Sequence, residues 1–349
     1  MSGTSLDGVD LAVCRFVRRA GKWSWKIESA RTIPYNREWR DALSSAHLLS
    51  GEELIALHVR YGFWLGKQCK SFVKKQGLRS PDFISSHGHT IFHQPVRGFT
   101  FQLGDGAAIH AASGLPVVND FRQLDVQLGG EGAPLVPVGD RHLFGDYDVC
   151  VNLGGISNLS FEKGGKRVAW DICFTNMGLN LLAQEAGMTH DRGGELARSG
   201  SADNRLLAAL TDAALAKGGK KPSLGREDFE RDYASLLSDG SVPLNNRLAT
   251  MTEFISRQVC AAIRRSGGRT VLLTGGGAHN RFLVECIRRN AGGRFNITVA
   301  DRMTVDFKEA LIFGFLGVLR VLGEVNALQS VTGASRDSST GTITGFSTM

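Results

Sequence analysis

The chain reads as an α/β protein of two domains, on three observations. Its 349 residues exceed what a single core usually holds. Short β-rich runs alternate with amphipathic helical stretches along the whole chain, which places helices on the faces of sheets. A glycine–hydroxyl turn leading into a strand occurs twice, as "SGTSLDGVDLAVCRF" at residues 2–16 and "LGGISNLSF" at residues 153–161. One α/β unit is therefore expected in two versions.

Taken in order, "MSGTSLDGVD" is a loop by composition, rich in glycine, hydroxyls and acids. Leu11–Val17 and Trp23–Tyr35 read as strands joined by a turn at Ala20-Gly21. Ser50 with Glu53 forms a capping box that opens a long helix, whose stripe of Leu54, Leu57, His58, Tyr61, Leu65, Gln68 and Phe72 faces a core and which Gly77 stops. Short strands follow at Phe83–Ser86, Thr100–Leu103 and Pro116–Asn119, with a helix at Gly106–Ser113. The second half has strands at Val149–Leu153, Asn158–Phe161, Arg167–Ile172, Thr270–Thr274 and Phe295–Ala300. Between and after them helices are expected at Met177–Ala186, Asp203–Ala216, Asn245–Arg265, Arg281–Asn290 and Val305–Val325.

Composition narrows the function. The net charge is +7, but Lys and Arg are scattered and no basic stripe interleaves with aromatics. A nucleic-acid partner is not expected, and an anionic small molecule suits the charge. The six cysteines include no CxxC pair, so they read as reduced, buried thiols of a cytoplasmic protein. The longest apolar run, Ala310–Leu319, is half a bilayer span and ends at Arg320, which marks a core helix and no membrane partner.

Glycine is the compositional outlier, at 43 residues, and it clusters at strand ends. A glycine-rich hairpin exposes backbone N–H groups, and neighbouring hydroxyls add donors, which together suit phosphate. Gly275, Gly276 and Gly277 lie between an apolar strand and a helix, where backbone can approach a ligand closely; a tight αβ connection is the plainer reading. Asp171 closes the apolar run "RVAWD" ahead of a helix, so it reads either as a strand-end base in a ligand crevice or as a helix cap. His87, His89 and His93 have metal-like spacing, but no Cys or carboxylate companion is adjacent, and a pocket wall is the better expectation.

In family order, seven stretches resemble the anhydro-N-acetylmuramic acid kinases: "MSGTSLDGVD", "SSHGHTIFHQP", "FQLGDGAAIHAASGLPVVNDFRQLD", "GGEGAPLVPVGD", "VNLGGISNLS", "LLTGGGAHN" and "SVTGA". The resemblance implies the actin-like ATPase and sugar-kinase superfold, two related α/β domains closing on a nucleotide, here residues 1–125 with 310–349 and residues 126–309. It implies ATP-dependent phosphorylation of 1,6-anhydro-N-acetylmuramic acid at O6 with hydrolytic opening of the anhydro ring. ATP and Mg2+ are the implied cofactors, and a cytoplasmic homodimer is the implied state.

On the same resemblance, Gly3, Thr4, Ser5, Leu6, Asp7, Gly8, Val9 and Asp10 form the first ATP hairpin. Asn152, Gly154 and Gly155 form the second, and Gly275, Gly276 and Gly277 meet the nucleoside side. Asp171 is the implied catalytic base, while His87, Arg122, Asp125, Asn176 and Glu309 are implied to line the sugar site. Glu309 also reads as a favourable acid in the first turn of its helix. No metal ligand is singled out.

Two departures are visible. Many relatives carry Asp-Thr-Gly-Pro-Gly-Asn where this chain reads Asp171-Ile-Cys-Phe-Thr-Asn176, which is expected to put Phe174 beside the γ-phosphate and alter substrate fit. Relatives also carry a strand of about seven apolar residues ahead of the first hairpin, and such a strand is expected before residue 1. A kinase of another anhydrosugar such as levoglucosan, or a non-catalytic nucleotide binder, stays open as an alternative.

Overall fold

The computed structural model describes residues 1–3, 6–216 and 224–346. Thr4 and Ser5 of the first hairpin lie outside the described residues. The chain divides into two compact units, Met1–Leu143 with Phe307–Met349, and Phe144–Asp306. Both are α/β, as the alternation of runs predicts.

In the first unit, β1 (Gly8–Arg19) and β2 (Lys22–Pro34) form a long antiparallel hairpin. Ala20 and Gly21 turn it with φ of 47° and 77°, the positive values that a two-residue hairpin loop requires. After α1 (Arg37–Ser45), Ser50 and Glu53 close the expected capping box on α2 (Gly51–Lys75). β3 (Ile84–Ser86) leads into the β4 (His89–Gln94)–β5 (Phe99–Leu103) hairpin, α3 (Gly106–Ser113) and β6 (Val117–Asn119). α3 packs so closely on α2 that a Cβ at Gly62 or Gly66 would fall 2.7 or 2.6 Å from the backbone oxygens of Asp105 and Ile109.

The unit boundary falls later than residue 125 because α4 (Val136–Leu143) packs with the first unit. Trp25 of β2 donates its indole N–H to the Leu143 carbonyl at 2.9 Å, and Gly139 sits against Ile312.

The second unit carries β7 (Val149–Leu153), β8 (Ile156–Lys163) and β9 (Lys166–Phe174) as an antiparallel meander. α5 (Asn176–Glu185), α6 (Asn204–Ala216) and α7 (Leu244–Ser266) follow. β10 (Thr270–Thr274) then lies parallel to β7, and after α8 (Arg281–Ala291) β11 (Asn296–Val299) lies parallel to β10. The sheet order is β11-β10-β7-β8-β9. β7 reads as a nearly unbroken apolar run because Val149, Cys150, Val151 and Leu153 are all buried in this sheet.

α9 (Arg302–Val321) returns the chain to the first unit, with its helical geometry broken at Phe307 (φ −123°) where the division falls. Glu309 therefore sits just beyond the break, in the first turn of the helical segment that follows Phe307. β12 (Thr342–Thr344) completes the sheet β12-β6-β3. Among the described residues, no helix is long and apolar enough to cross a membrane.

Candidate active site

The turns of the second unit interlock. Asn152, Gly154 and Gly155 end β7 and form its turn into β8. The start of α5 is bonded onto this turn: Thr175 N–H donates to Gly155 O at 2.8 Å, Asn176 N–H to Gly154 O at 3.1 Å and Met177 N–H to Gly155 O at 3.2 Å. Both turn carbonyls are thereby consumed within the protein. Gly275 has φ 80°, and a Cβ there would lie 2.3 Å from Asn152 Oδ1 and 2.9 Å from the Leu153 backbone. A Cβ on Gly277 would meet Leu153 at 2.8 Å. Glycine is required at 275 on two independent grounds, the left-handed backbone and the close approach. The 152–155 and 274–277 turns thus form one cluster of exposed-backbone type, while Gly276 stays clear of hard contact.

Asn176 belongs to that cluster. Its side-chain amide donates to Leu153 O at 3.1 Å and lies beside Gly277.

Asp171 lies within β9, opposite Asn158 of β8, and so does not end its strand. It is not the cap of α5 either: the residue at that position is Thr175. One carboxylate oxygen accepts the Leu224 N–H at 2.9 Å. Burial raises its pKa above the usual aspartate value, with the Leu224 bond pulling the other way. A half-buried carboxylate made more basic by its surroundings is what proton abstraction requires.

Phe174 overturns an expectation. Its side chain is fully buried, packed on Phe229 and Tyr233 with ring centroids 5.3 and 4.9 Å away. Cys173 and Phe174 are both buried at this end of β9, in the core of the second unit, so Phe174 does not shape a phosphate pocket.

In the first unit, Arg122 is half-buried at the centre of a polar group. Its Nε donates to His87 Nε2 at 2.9 Å and its Nη1 to Gly132 O at 2.6 Å, with the guanidinium 5.8 Å from the Phe313 ring centre. Accepting from Arg122 at Nε2 leaves the His87 proton on Nδ1, which donates to Gly88 O at 2.9 Å. Burial, reinforced by the Arg122 charge, pushes the His87 pKa well below the ordinary histidine value, so the ring is neutral. Burial lowers Arg122 to about 10 while Glu309 and Asp125 pull it back up. Burial raises Glu309, with Arg122 opposing.

Asp125 plays a different part from the one its motif suggests. It is fully buried, with Oδ2 accepting the Gly132 N–H and Oδ1 the Thr332 hydroxyl, both at 2.8 Å. It clamps the 130–132 loop, whose Gly132 carbonyl holds Arg122, so it acts on the site through that loop. Beside Glu309, Lys308 forms a buried ion pair with Asp140 at 2.7 Å, which the sequence did not single out.

The described part of the first hairpin is held from below. Gly8 lets β2 pass, since a Cβ there would lie 2.5 Å from Ile33 O, and Val9 is buried in the core. Leu6 turns the loop at φ 56°, Asp7 is exposed, and Asp10 accepts the Thr32 hydroxyl. Gly3 is exposed next to Ser2, which is buried. The Ser2 hydroxyl meets Tyr35 Oη at 2.7 Å and His89 Nδ1 at 2.8 Å, and Tyr35 meets Tyr61 Oη. Tyr61 and His89 were assigned to an apolar stripe and a pocket wall, so this buried network became visible only in three dimensions. The three histidines diverge in their bonding, since His93 Nδ1 pairs with Thr100 Oγ1 at 3.2 Å.

Burial brings His89 down to about 4, against about 6.5 in an unfolded chain. The unfolded chain takes up a proton here before the fold does. The His89 share of stability is therefore full above the unfolded value and lost as pH falls toward about 4. His89→Asn keeps an acceptor for Ser2 but cannot charge. Its melting temperature is expected to fall less steeply than wild type on acidification. Parallel melting curves for the two proteins would contradict a neutral, buried His89.

A solved ROK hexokinase from Thermus thermophilus aligns with 88% of this chain and 99% of its own at 17% identity and TM-score 0.34, a likeness too distant to bear on fold or function. Sequence relatives are much nearer. The anhydro-N-acetylmuramic acid kinase of Gloeobacter violaceus is 35% identical over 362 residues, covering 96% of this chain and 95% of its own. That of Nitrosomonas europaea is 31% identical over 358 residues, covering 98% of each. The sequence model of the family described as anhydro-N-acetylmuramic acid kinase matches residues 1–345. On this whole-length match, the chain belongs to the anhydro-N-acetylmuramic acid kinase family.

Proposed function

We propose that the chain transfers the γ-phosphoryl group of ATP to O6 of 1,6-anhydro-N-acetylmuramic acid while water opens the anhydro bridge. The products are N-acetylmuramic acid 6-phosphate and ADP, a step of murein recycling. Family membership supports the reading, and one structural observation carries it: the turns of the second unit exclude a Cβ at Gly275 and Gly277, in the same five-stranded sheet as the Asp171 carboxylate, whose pKa burial raises.

The residues present fit the cofactors. Gly154, Gly155, Gly275, Gly276 and Gly277 would supply a backbone surface for phosphates and nucleoside. Asp7 and Asp10 would hold Mg2+, which usually takes one or two carboxylates and keeps several waters. When bound it would neutralise phosphate charge. In this chemistry Asp171 takes a proton from water, the water oxygen bonds to C1 and the C1–O6 bond breaks, while O6 bonds to the γ-phosphorus as the bond from that phosphorus to the β-phosphate oxygen breaks and ADP leaves. Arg122 suits the lactyl carboxylate of the sugar, His87 and Glu309 line the same group, and Asp125 positions Arg122 through the 130–132 loop. A cytoplasmic homodimer is part of the proposal.

Arg122→Ala and Glu309→Ala are each expected to raise the KM for the sugar or lower kcat, with the KM for ATP nearly unchanged. Lost thermal stability with intact kinetics would assign both to structure. Incubation with ATP and the anhydrosugar, followed by mass spectrometry, tests the reaction itself. Sugar phosphate one water heavier than the phosphorylated anhydrosugar supports it; ATP hydrolysis with unchanged sugar refutes it.

A further inference from the structure

The stretch "LGREDFERDYASLL" at residues 224–237 carries apolar side chains four residues apart, at Phe229, Tyr233 and Leu237. All three are buried in the core of the second unit, so the stretch is docked by its own helical periodicity. Two attachments tie it to β9. Phe229 and Tyr233 pack on Phe174, and the Leu224 N–H donates to Asp171 Oδ2 at 2.9 Å. The ring packing thereby fixes where that N–H falls along the strand that bears the carboxylate.

The backbone between the two attachments is held as well. Gly225 N–H donates to Asp228 Oδ2 at 2.9 Å, half of a capping box whose other half a glycine has no side chain to supply. Asp228 Oδ1 in turn accepts from Arg231 Nη2 at 2.9 Å. Asp171 is bonded unequally: Oδ2 takes the Leu224 N–H, while Oδ1 accepts no bond among the described residues. Burial and the Leu224 bond act on its protonation in opposite senses, and among the described residues no charged side chain adds to them. An N–H on one oxygen stops rotation of the carboxylate and leaves the other oxygen for a water. Such fixing matters because a misplacement of about 1 Å can cost about 100-fold in rate.

We infer that residues 224–229 are a positioning element for the catalytic base, in which the Leu224 N–H holds Asp171 Oδ2 and Oδ1 is the oxygen that takes the proton from water. The inference rests on the reading of Asp171 as the base. Leu224 and Asp228 act through that carboxylate and touch no substrate.

Leu224→Pro removes this one N–H, whereas Leu224→Ala removes the side chain and keeps the donor. Leu224→Pro is expected to lower kcat by about tenfold or more. It also moves the acid limb of kcat/KM up by about one pH unit, because a bond to the charged form holds a carboxylate pKa down. Leu224→Ala keeps the limb at its wild-type pH. Asp228→Ala, which releases the Gly225 N–H, is expected to move the limb in the same direction as the proline. Asp228→Asn keeps an oxygen for that N–H and restores the limb. In an Asp171→Asn background, Leu224→Pro costs nothing further, since the two act as one unit. A wild-type limb in Leu224→Pro, or equal shifts in Leu224→Pro and Leu224→Ala, overturns the inference and leaves Asp171 as the base. Where Leu224→Pro fails to fold, equal limbs in Asp228→Ala and Asp228→Asn overturn it. A near-normal rate for Asp171→Asn alone removes the base itself, and the inference with it.

Discussion

Asp171→Asn is expected to abolish turnover, by about 10²-fold or more for a lost general base, while ATP and the sugar still bind. The asparagine keeps the size of the side chain and one oxygen to accept the Leu224 N–H, so the local fold has no reason to change. It cannot take the proton. In wild type the base must be ionised, and burial raises its pKa, so kcat/KM falls as pH drops through a value above the ordinary aspartate one. That acid limb is absent from the residual activity of Asp171→Asn. Wild type run in oxygen-18 water is expected to place the label on C1 of the sugar and none on phosphate. Label in the phosphate would mean plain ATP hydrolysis, and a near-normal rate for the variant would remove Asp171 from the mechanism.

Phe174→Ala is expected to be the costliest single change in the core of the second unit, at about 3–5 kcal/mol for a buried aromatic truncated to alanine. The ring is fully buried and touches two other aromatic rings, so truncation leaves a cavity among side chains that cannot collapse together. The melting temperature of that unit should fall by about 10 °C. Phe174→Leu keeps more of the volume and costs about 1.5 kcal/mol or less, with turnover per folded molecule near wild type. Intact stability with an altered sugar KM would put Phe174 back on a ligand.

Phe174 shows where sequence reading stops. A motif position next to Asp171 and Asn176 invites a functional reading, because the linear order says nothing about which face of β9 is buried. The bonding partners of Asn176 and Asp125 were hidden in the same way. Both stand in motif stretches, yet Asn176 is spent on the Leu153 carbonyl and Asp125 on a loop and on Thr332, a partner 207 positions away along the chain. The strand at His89–Gln94 and the helix at Val136–Leu143 also went unread. Polar histidines mask the alternation of the first, and Pro137 and Gly139 disguise the second.

What the sequence by itself determined is local and compositional. The Ser50–Glu53 box starts α2, Ala20-Gly21 turns the β1–β2 hairpin, and the apolar run at Val149–Leu153 makes a buried strand. Each depends on neighbours a few residues apart, whose backbone preferences and periodicity can be read directly. The glycine turns and the family also belong to this class. Only the tertiary structure decided which turns meet, that Arg122 sits between His87 and the Gly132 carbonyl, that Ser2 rests on Tyr35 and His89, and that Asp171 is made more basic. Those properties arise from burial and from partners distant in sequence. Desolvation and close approach depend on the packed fold, and the order of residues alone does not contain them.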